Sequence, residues 1–395
     1  MKQGDKNSLP EGWEMKKLGE VLKIQNGYAF NAKLFTTETG TPLIRIRDIK
    51  KGIDTETKFN GLYDRKYEVN AGDFLIGMDG EFGCYEWKGD LALLNQRVCR
   101  LQNFSNRINS RFLFYGINKY LKAIEEVTSF ATVKHISSKQ IEAIKMPLPP
   151  IEEQQRIVVK LDEAFEAIEK ANANTKQNLK NAKELFESYL QAIFENKGKA
   201  WEEKTLGEIS KDFGRGKSKH RPRNWDNLYG GDYPFIQTGD IRNCNHVITE
   251  YTQTYSEIGL AQSKLWPAGT ICITIAANIA ETGVLTFDAC FPDSVIGLVV
   301  NDEFADREYV EYLLQSFKSR LQALGKGSAQ DNINLKTFEN RLFPFPPLSE
   351  QQTIVQQLDA LSAETKKLEA IYQKKLEDLE ELKKSILQKA FRGQL

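Results

Sequence analysis

Pro149-Pro150-Ile151-Glu152-Glu153-Gln154-Gln155-Arg156-Ile157-Val158-Val159-Lys160-Leu161-Asp162 is a stretch that this 395-residue chain uses twice. The second copy reads Pro346-Pro347-Leu348-Ser349-Glu350-Gln351-Gln352-Thr353-Ile354-Val355-Gln356-Gln357-Leu358-Asp359. The copies lie 197 residues apart, from Pro150 to Pro347 and from Asp162 to Asp359. The same offset carries Ser188, Leu190, Gln191 and Phe194 onto Ser385, Leu387, Gln388 and Phe391. A gapless repeat of this length is one structural unit used twice.

Two prolines followed by Glu152 and Glu153 are helix-start chemistry. Proline fits a first turn whose N–H has no intrahelical partner, and acidic side chains there face the positive end of the helix dipole. No Pro or Gly follows until Gly198. Val158, Leu161, Phe165, Ile168, Leu179, Ala182, Phe186, Tyr189 and Ile193 recur in a 3,4 pattern, with Asn172 and Thr175 interrupting it in register. That is a heptad seam. The second copy gives Leu358, Leu361, Thr365, Leu368 and Tyr372, then shifts to Leu376, Leu379 and Ile386, as a stutter would. Each helix is expected to run about 45 residues, or about 65 Å at 1.5 Å per residue. A seam needs a partner, and the other copy supplies one.

A chain of this length divides into two or three domains. Lys+Arg and Asp+Glu balance at 54 each, without blocks of like charge, so disorder is not indicated. No apolar run is long enough to span a bilayer, and residues 1–10 lack an apolar signal core, so a cytoplasmic protein is expected. Cys84, Cys99, Cys244, Cys272 and Cys290 are odd in number and form no CxxC pair; they read as buried small apolar residues.

The segments ahead of the helices repeat too. Trp13, Leu18, Gly19 and Glu20 match Trp201, Leu206, Gly207 and Glu208, 188 residues on (Trp13 to Trp201). Pro42 falls on Pro234, an offset of 192, and Ala71-Gly72-Asp73 on Ala268-Gly269-Thr270, back at 197. The second globular copy therefore carries insertions early in its fold, where loops accept them. Phe74-Leu75-Ile76-Gly77, Val98-Cys99-Arg100-Leu101, residues 270–275 and residues 295–300 read as short strands, and residues 111–126 and 307–324 as helices. The expected fold is mixed α/β: two similar globular regions, 1–148 and 198–345, separated by two long coiled-coil helices, 149–197 and 346–395. If the helices pair they are antiparallel, the molecule has an internal pseudo-two-fold, and residues 9–20 lie near residues 391–395. A duplex has matching dyads, and two-fold readers address separated half-sites.

Catalytic signatures are sparse. Gly214-Arg215-Gly216-Lys217-Ser218 contains GKS, but Lys211 stands where a P-loop needs Gly. His135, His220 and His246 are too scattered for a metal site. Nucleic-acid features are richer. Arg215, Lys217, Lys219, His220, Arg221 and Arg223 crowd one glycine-bearing loop, with Trp225 and Tyr229 behind, which is a phosphate-binding footprint. Arg45, Arg47, Asp48, Lys50 and Lys51 follow or punctuate a strand, and the aligned set is Gln237, Thr238, Asp240, Arg242 and Asn243. Arg, Gln and Asn can bond bidentately to guanine or adenine edges. The apolar frames match while these polar sets differ, as expected of one scaffold reading two sequences. Gln96-Arg97 and Gln330-Asp331-Asn332 are further candidates; each of these residues is also compatible with an ordinary polar turn.

The doubled Pro-Pro-x-x-Glu-Gln-Gln-x-Ile-Val segment resembles the conserved helical region of the specificity subunit of type I restriction-modification systems. So do residues 231–241, Leu94-Asn95-Gln96-Arg97-Val98 and the ending Leu387-Gln388-Lys389-Ala390-Phe391-Arg392-Gly393. The resemblance covers essentially the whole chain. It implies a non-catalytic subunit whose two target recognition domains each read half of a bipartite double-stranded DNA site. It implies no cofactor on this chain, but two methyltransferase subunits using S-adenosylmethionine to methylate N6 of adenine, and two nuclease subunits using ATP and Mg. The helices would set the spacer and dock the methyltransferases, making the helix starts, Glu153, Gln154, Gln155, Glu350, Gln351 and Gln352, the candidate partner-binding residues. The first region departs in its loop, where Asn26-Gly27-Tyr28-Ala29-Phe30 replaces the basic stretch. Two other readings stay open: the recognition subunit of a type IIB-like restriction enzyme, and a coiled-coil adaptor whose terminal domains bind proteins.

Overall fold

The computed structural model describes residues 9–128, 134–219, 225–276, 279–324 and 335–395. Among them run eight α-helices: α1 (Ser110–Thr128), α2 (Ser138–Glu142), α3 (Ile151–Glu195), α4 (Thr238–Asn243), α5 (Glu257–Ala261), α6 (Arg307–Leu324), α7 (Leu335–Glu339) and α8 (Leu348–Ala390). The chain forms two compact units, Met1–Thr175 with Lys375–Leu395, and Lys176–Lys374.

In the first unit an antiparallel sheet runs in the order Lys23–Asn26, Val98–Gln102, Phe74–Gly77, Cys84–Glu86. A second sheet of short strands includes the parallel pair Thr41–Ile44 and Ala92–Leu94. The strand Phe74–Gly77 is apolar throughout because both its faces are covered. Phe74 and Ile76 join a core with Leu101, Phe112 and Leu113 of α1. Leu75 turns the other way, among Ile44, Ile49, Trp87 and Val98. Burial on both sides replaces alternation by a continuous apolar run.

The second unit repeats the plan. Its main sheet runs Ser210–Arg215, Val295–Val300, Ile271–Thr274, Thr282–Leu285, His246–Ile248, the last pair parallel. Ile271 and Ile273 face one core and Cys272 another, with Trp266 and Phe291. The strand pair Tyr229–Phe235 with Gln253–Tyr255 is the counterpart of Thr41–Ile44 with Lys58–Phe59, Pro234 facing Thr254 as Pro42 faces Lys58, and the early insertions lie in the segments around it, which include the short helices α4 and α5.

Helices α3 and α8 have 45 and 43 residues. In the first unit the early turns of α3 meet the last turns of α8: Phe165 and Ile168 pack with Leu379, Ile386 and Leu387, and Arg156 donates to the carbonyl of Leu395 at 2.7 Å. In the second unit Leu190 and Phe194 of α3 share a core with Ile354, Val355 and Leu358 of α8. The pairing is antiparallel in each. The chain ends behave as expected: Trp13 and Phe391 share the first unit's core, and the Phe391 ring lies 4.8 Å from that of Phe112.

The seam departs from the heptad reading at its far end. Tyr189 and Leu368 are exposed, and Leu190 and Phe194 are buried instead. A helix of 3.6 residues per turn drifts against a 3.5 repeat, and there α3 packs on the globular part, with Phe194 5.5 Å from Tyr309 of α6. The seam threonines are buried at little cost. Thr175 bonds the carbonyl of Ala171 at 2.7 Å and Thr365 that of Leu361 at 2.9 Å, so each hydroxyl is satisfied on its own helix.

The helix starts correct one expectation. Gln154 is fully buried: its Oε1 accepts the N–H of Asn109, and its Nε2 donates to the carbonyls of Arg107 and Pro149. Gln351 does the same with the N–H of Asp306 and the carbonyl of Pro346. These two glutamines are brackets between α1 or α6 and the long helices, so they are not partner-facing. Glu153 pairs with Arg156, Glu350 accepts from the Trp201 indole at 2.9 Å, and Gln155 and Gln352 are exposed. Of the cysteines, all free, Cys244 is partly exposed and the other four are buried as expected.

Candidate nucleic-acid interface

In the first unit the chain leaves strand Lys23–Asn26 and crosses directly over the turn 95–98. Gly27 donates to the carbonyl of Val98 at 3.0 Å and Tyr28 to that of Leu94 at 2.9 Å; Gln96 donates back to Tyr28 at 3.0 Å. A Cβ on Gly27 would stand 2.1 Å from the Asn95 carbonyl oxygen, so only glycine can make the crossing. Tyr28 emerges half exposed beside exposed Gln96 and Arg97. Phe30 and Tyr67 hold its ring, with centroids 5.2 and 5.1 Å away.

The turn is tied into a polar rim. Arg97 pairs with the Asp79 carboxylate, which also meets His135 Nδ1 at 2.6 Å. Burial pushes the Asp79 carboxyl up, and its bonds to His135 and Arg97 outweigh that, leaving it below the ordinary carboxylate range. The backbone fixes the loop on both sides: Met78 donates to the carbonyl of Arg97 and Gly80 to that of Lys134, each at 3.0 Å. Glu81, in the same loop, pairs with Lys50, whose ammonium is raised first by that hydrogen bond.

Lys50 closes the turn that follows strand Thr41–Ile44. There the Asp48 carboxylate accepts the N–H of Arg45 and the hydroxyl of Thr55, each at 3.0 Å. Arg47 is exposed and Arg45 partly so. Lys50, Arg97 and Gln96 are thus brought onto one connected rim, with Arg45 and Arg47 on the adjoining turn.

The second unit builds the same frame with other side chains. Gly216 donates to the carbonyl of Val295 at 2.8 Å, and a Cβ on it would stand 2.3 Å from the Phe291 oxygen. Val295 donates to Pro292, as Val98 does to Asn95. Arg215 is the last residue of a strand rather than part of a loop, because its backbone still pairs with Ile296; its Nε donates to the carbonyl of Asp293 at 2.8 Å. Lys217 and Lys219 are exposed; His220, Arg221 and Arg223 lie outside the described residues, as do Gln330, Asp331 and Asn332. Asp240 accepts the N–H of Gln237 at 2.8 Å and the Thr252 hydroxyl at 3.0 Å, repeating the Asp48 brace. Thr238, Arg242 and Asn243 sit on α4, a helix where the first unit has a turn, and Gln237, Arg242 and Asn243 are exposed.

Sequence reasoning missed Tyr28, Asp79 and His135 as parts of this surface. Matching Gly27 to Gly216 would have pointed to Tyr28. The offset there is 189, not the 188 seen from Trp13 to Trp201, and the extra residue is a bulge between Ser210 and Asp212. The rim offers cations, amides and one aromatic ring. Among the described residues no three His, Cys, Asp or Glu are grouped to hold a metal ion, and no helix is long and apolar enough to cross a membrane.

Comparison with known proteins gives one family. The sequence model described as "Type I restriction modification DNA specificity domain" matches residues 10–181 and again 198–378. The type I restriction enzyme EcoBI specificity subunit of Escherichia coli is 30% identical, over 98% of this chain and 87% of that protein. The putative type I restriction enzyme MjaX specificity subunit of Methanocaldococcus jannaschii is 26% identical over 100% of this chain and 96% of its own. Among solved structures, the HsdS subunit from Thermoanaerobacter tengcongensis shares the fold with a TM-score of 0.63 at 21% identity, covering all of both chains. A chain solved in work on complex assembly and conformational transition of the type I R-M system does so with a TM-score of 0.74 at 22% identity, over 98% of this chain and 100% of that one.

Proposed function

This chain belongs to the type I restriction-modification DNA specificity family and recognises DNA sequence, and from that premise we propose how it does so. Each globular region reads one half of a bipartite duplex site, and the long helices fix the distance between halves. The reading surface in the first region is the rim of Arg45, Arg47, Lys50, Gln96 and Arg97; in the second it is Arg215, Lys217, Lys219, Gln237, Thr238, Arg242 and Asn243. The observation that carries this reading is a frame kept and a surface changed. Both regions share the glycine crossing, the aspartate brace and the tight turn, yet present different exposed donors and acceptors there. Direct readout works through such groups on base edges, with cations on phosphates setting register.

The chain itself carries no catalytic step in this proposal. Methyltransferase subunits bind it near the helix starts, through exposed Gln155 and Gln352 with Glu153 and Glu350 beside them, and supply S-adenosylmethionine chemistry on an adenine turned out of the duplex. Nuclease subunits with ATP and Mg complete a restriction enzyme. The test is a methylome: the chain is expressed with its neighbouring methyltransferase in a methylation-free host, and modified adenines are mapped by single-molecule sequencing. A split motif with adenines on opposite strands, lost when this chain is omitted, is expected. Methylation that persists without the chain, or a contiguous motif, refutes the reading.

A further inference from the structure

Gly27 and Gly216 occupy one backbone position in the two units. Each donates to the carbonyl of the first residue of the next strand, Val98 or Val295, and each would drive a Cβ into the carbonyls of the turn before it. The residue after each glycine is therefore delivered to the same place, beside the turn 95–97 in one unit and 292–294 in the other. Those residues are Tyr28 and Lys217, both exposed. Their chemistry is opposite. Tyr28 is an uncharged ring already held by Phe30 and Tyr67. Lys217 is a cation on a flexible stem, followed by exposed Lys219.

Resting on the recognition reading above, we propose that this position contacts DNA in both regions, in a different way in each: Tyr28 packs its ring against a base edge of its half-site and discriminates there between bases, and Lys217 neutralises a phosphate of the other half-site and fixes register. A ring fixed in advance loses little conformational freedom on binding. Apolar contact with a base edge contributes affinity without releasing counterions, whereas each neutralised phosphate releases about 0.9 of one. At this one position the two regions thus use different means, the first a salt-insensitive aromatic contact and the second charge.

The experiment measures affinity against salt concentration for the chain co-purified with its methyltransferase, on duplexes carrying the mapped bipartite motif. Tyr28→Ala is expected to weaken binding about ten-fold at every salt concentration, the size of one lost base-edge contact, leaving the slope of log affinity on log salt unchanged. Lys217→Ala is expected to lower that slope by about 0.9, its loss of affinity fading as salt rises, and Tyr28→Lys to raise it by about 0.9. Both positions are exposed; wild-type melting, together with intact discrimination at the other half-site, verifies that each variant is folded. Wild-type affinity and slope in folded Tyr28→Ala and Lys217→Ala, with the wild-type chain still discriminating both half-sites, overturns the proposal and leaves the recognition reading standing. A wild-type complex that prefers no bipartite duplex removes the recognition reading, and the proposal falls with it.

Discussion

Replacing Gln154 by Leu separates a structural bracket from a partner contact. The side chain is fully buried and its three hydrogen bonds are short: 2.8 Å from the Asn109 N–H, 2.8 Å to the Pro149 carbonyl and 2.9 Å to the Arg107 carbonyl. Leucine fills nearly the same volume but satisfies none of these groups. The Asn109 N–H, just ahead of α1, loses that acceptor, and an orphaned donor costs about 1–3 kcal/mol. The two carbonyls add about 1 kcal/mol together, since Arg107 is exposed and water can reach its oxygen. The expected loss is about 2–4 kcal/mol. In a unit of about 200 residues, that lowers the melting temperature by roughly 5–12 °C. Calorimetry of the isolated chain reads this directly, with the exposed neighbour substitution Gln155→Leu as control, expected within about 0.5 kcal/mol of wild type. If Gln154→Leu melts with the wild-type chain but no longer assembles with a methyltransferase, the bracket argument is wrong and the residue faces the partner after all.

Gly27→Ala should cost about 3 kcal/mol in urea unfolding, because its Cβ meets a backbone oxygen that cannot move aside, and Gly216→Ala should behave alike; a neutral result at either position contradicts the crossing. Arg97→Ala should change stability by about 1 kcal/mol or less, since the Arg97 end of its ion pair is exposed and Asp79 keeps its His135 partner, while lowering affinity for the first half-site; equal affinity on cognate duplex removes Arg97 from the surface. Asp79 titrates below its ordinary value when folded, so its stabilising effect is complete above the unfolded value of about 3.9 and is lost as pH falls through the lower folded value. Urea midpoints of wild type and Asp79→Asn should therefore differ at neutral pH and converge as the solution is made acidic; a gap that widens on acidification reverses the assigned sign.

Much of this architecture is legible in the chain because it is written twice. The helix starts, the seam and the 197-residue offset give two long helices and two similar globular regions, and antiparallel pairing follows from their order. Periodicity reports which face of an element is buried, so Phe74–Gly77 and Val295–Val300 are found to the residue as strands, and α6 as a helix. Periodicity does not report what a polar side chain bonds to. Gln154 and Gln155 are adjacent and chemically identical; only the approach of α1 makes the first a buried bracket and leaves the second in water. The reading surface has the same limit. Gln96 and Arg97 are candidates by residue type and are exposed, whereas the place of Tyr28 beside them is not legible, because it depends on a one-residue bulge and on a glycine passing under a carbonyl more than sixty residues further along the chain. The sequence by itself determined the repeat, the helices and the strands, since these follow from local spacing and burial. The tertiary structure alone decided which polar residues are spent inside and which are left exposed, because that choice is made by contacts between segments far apart in the chain.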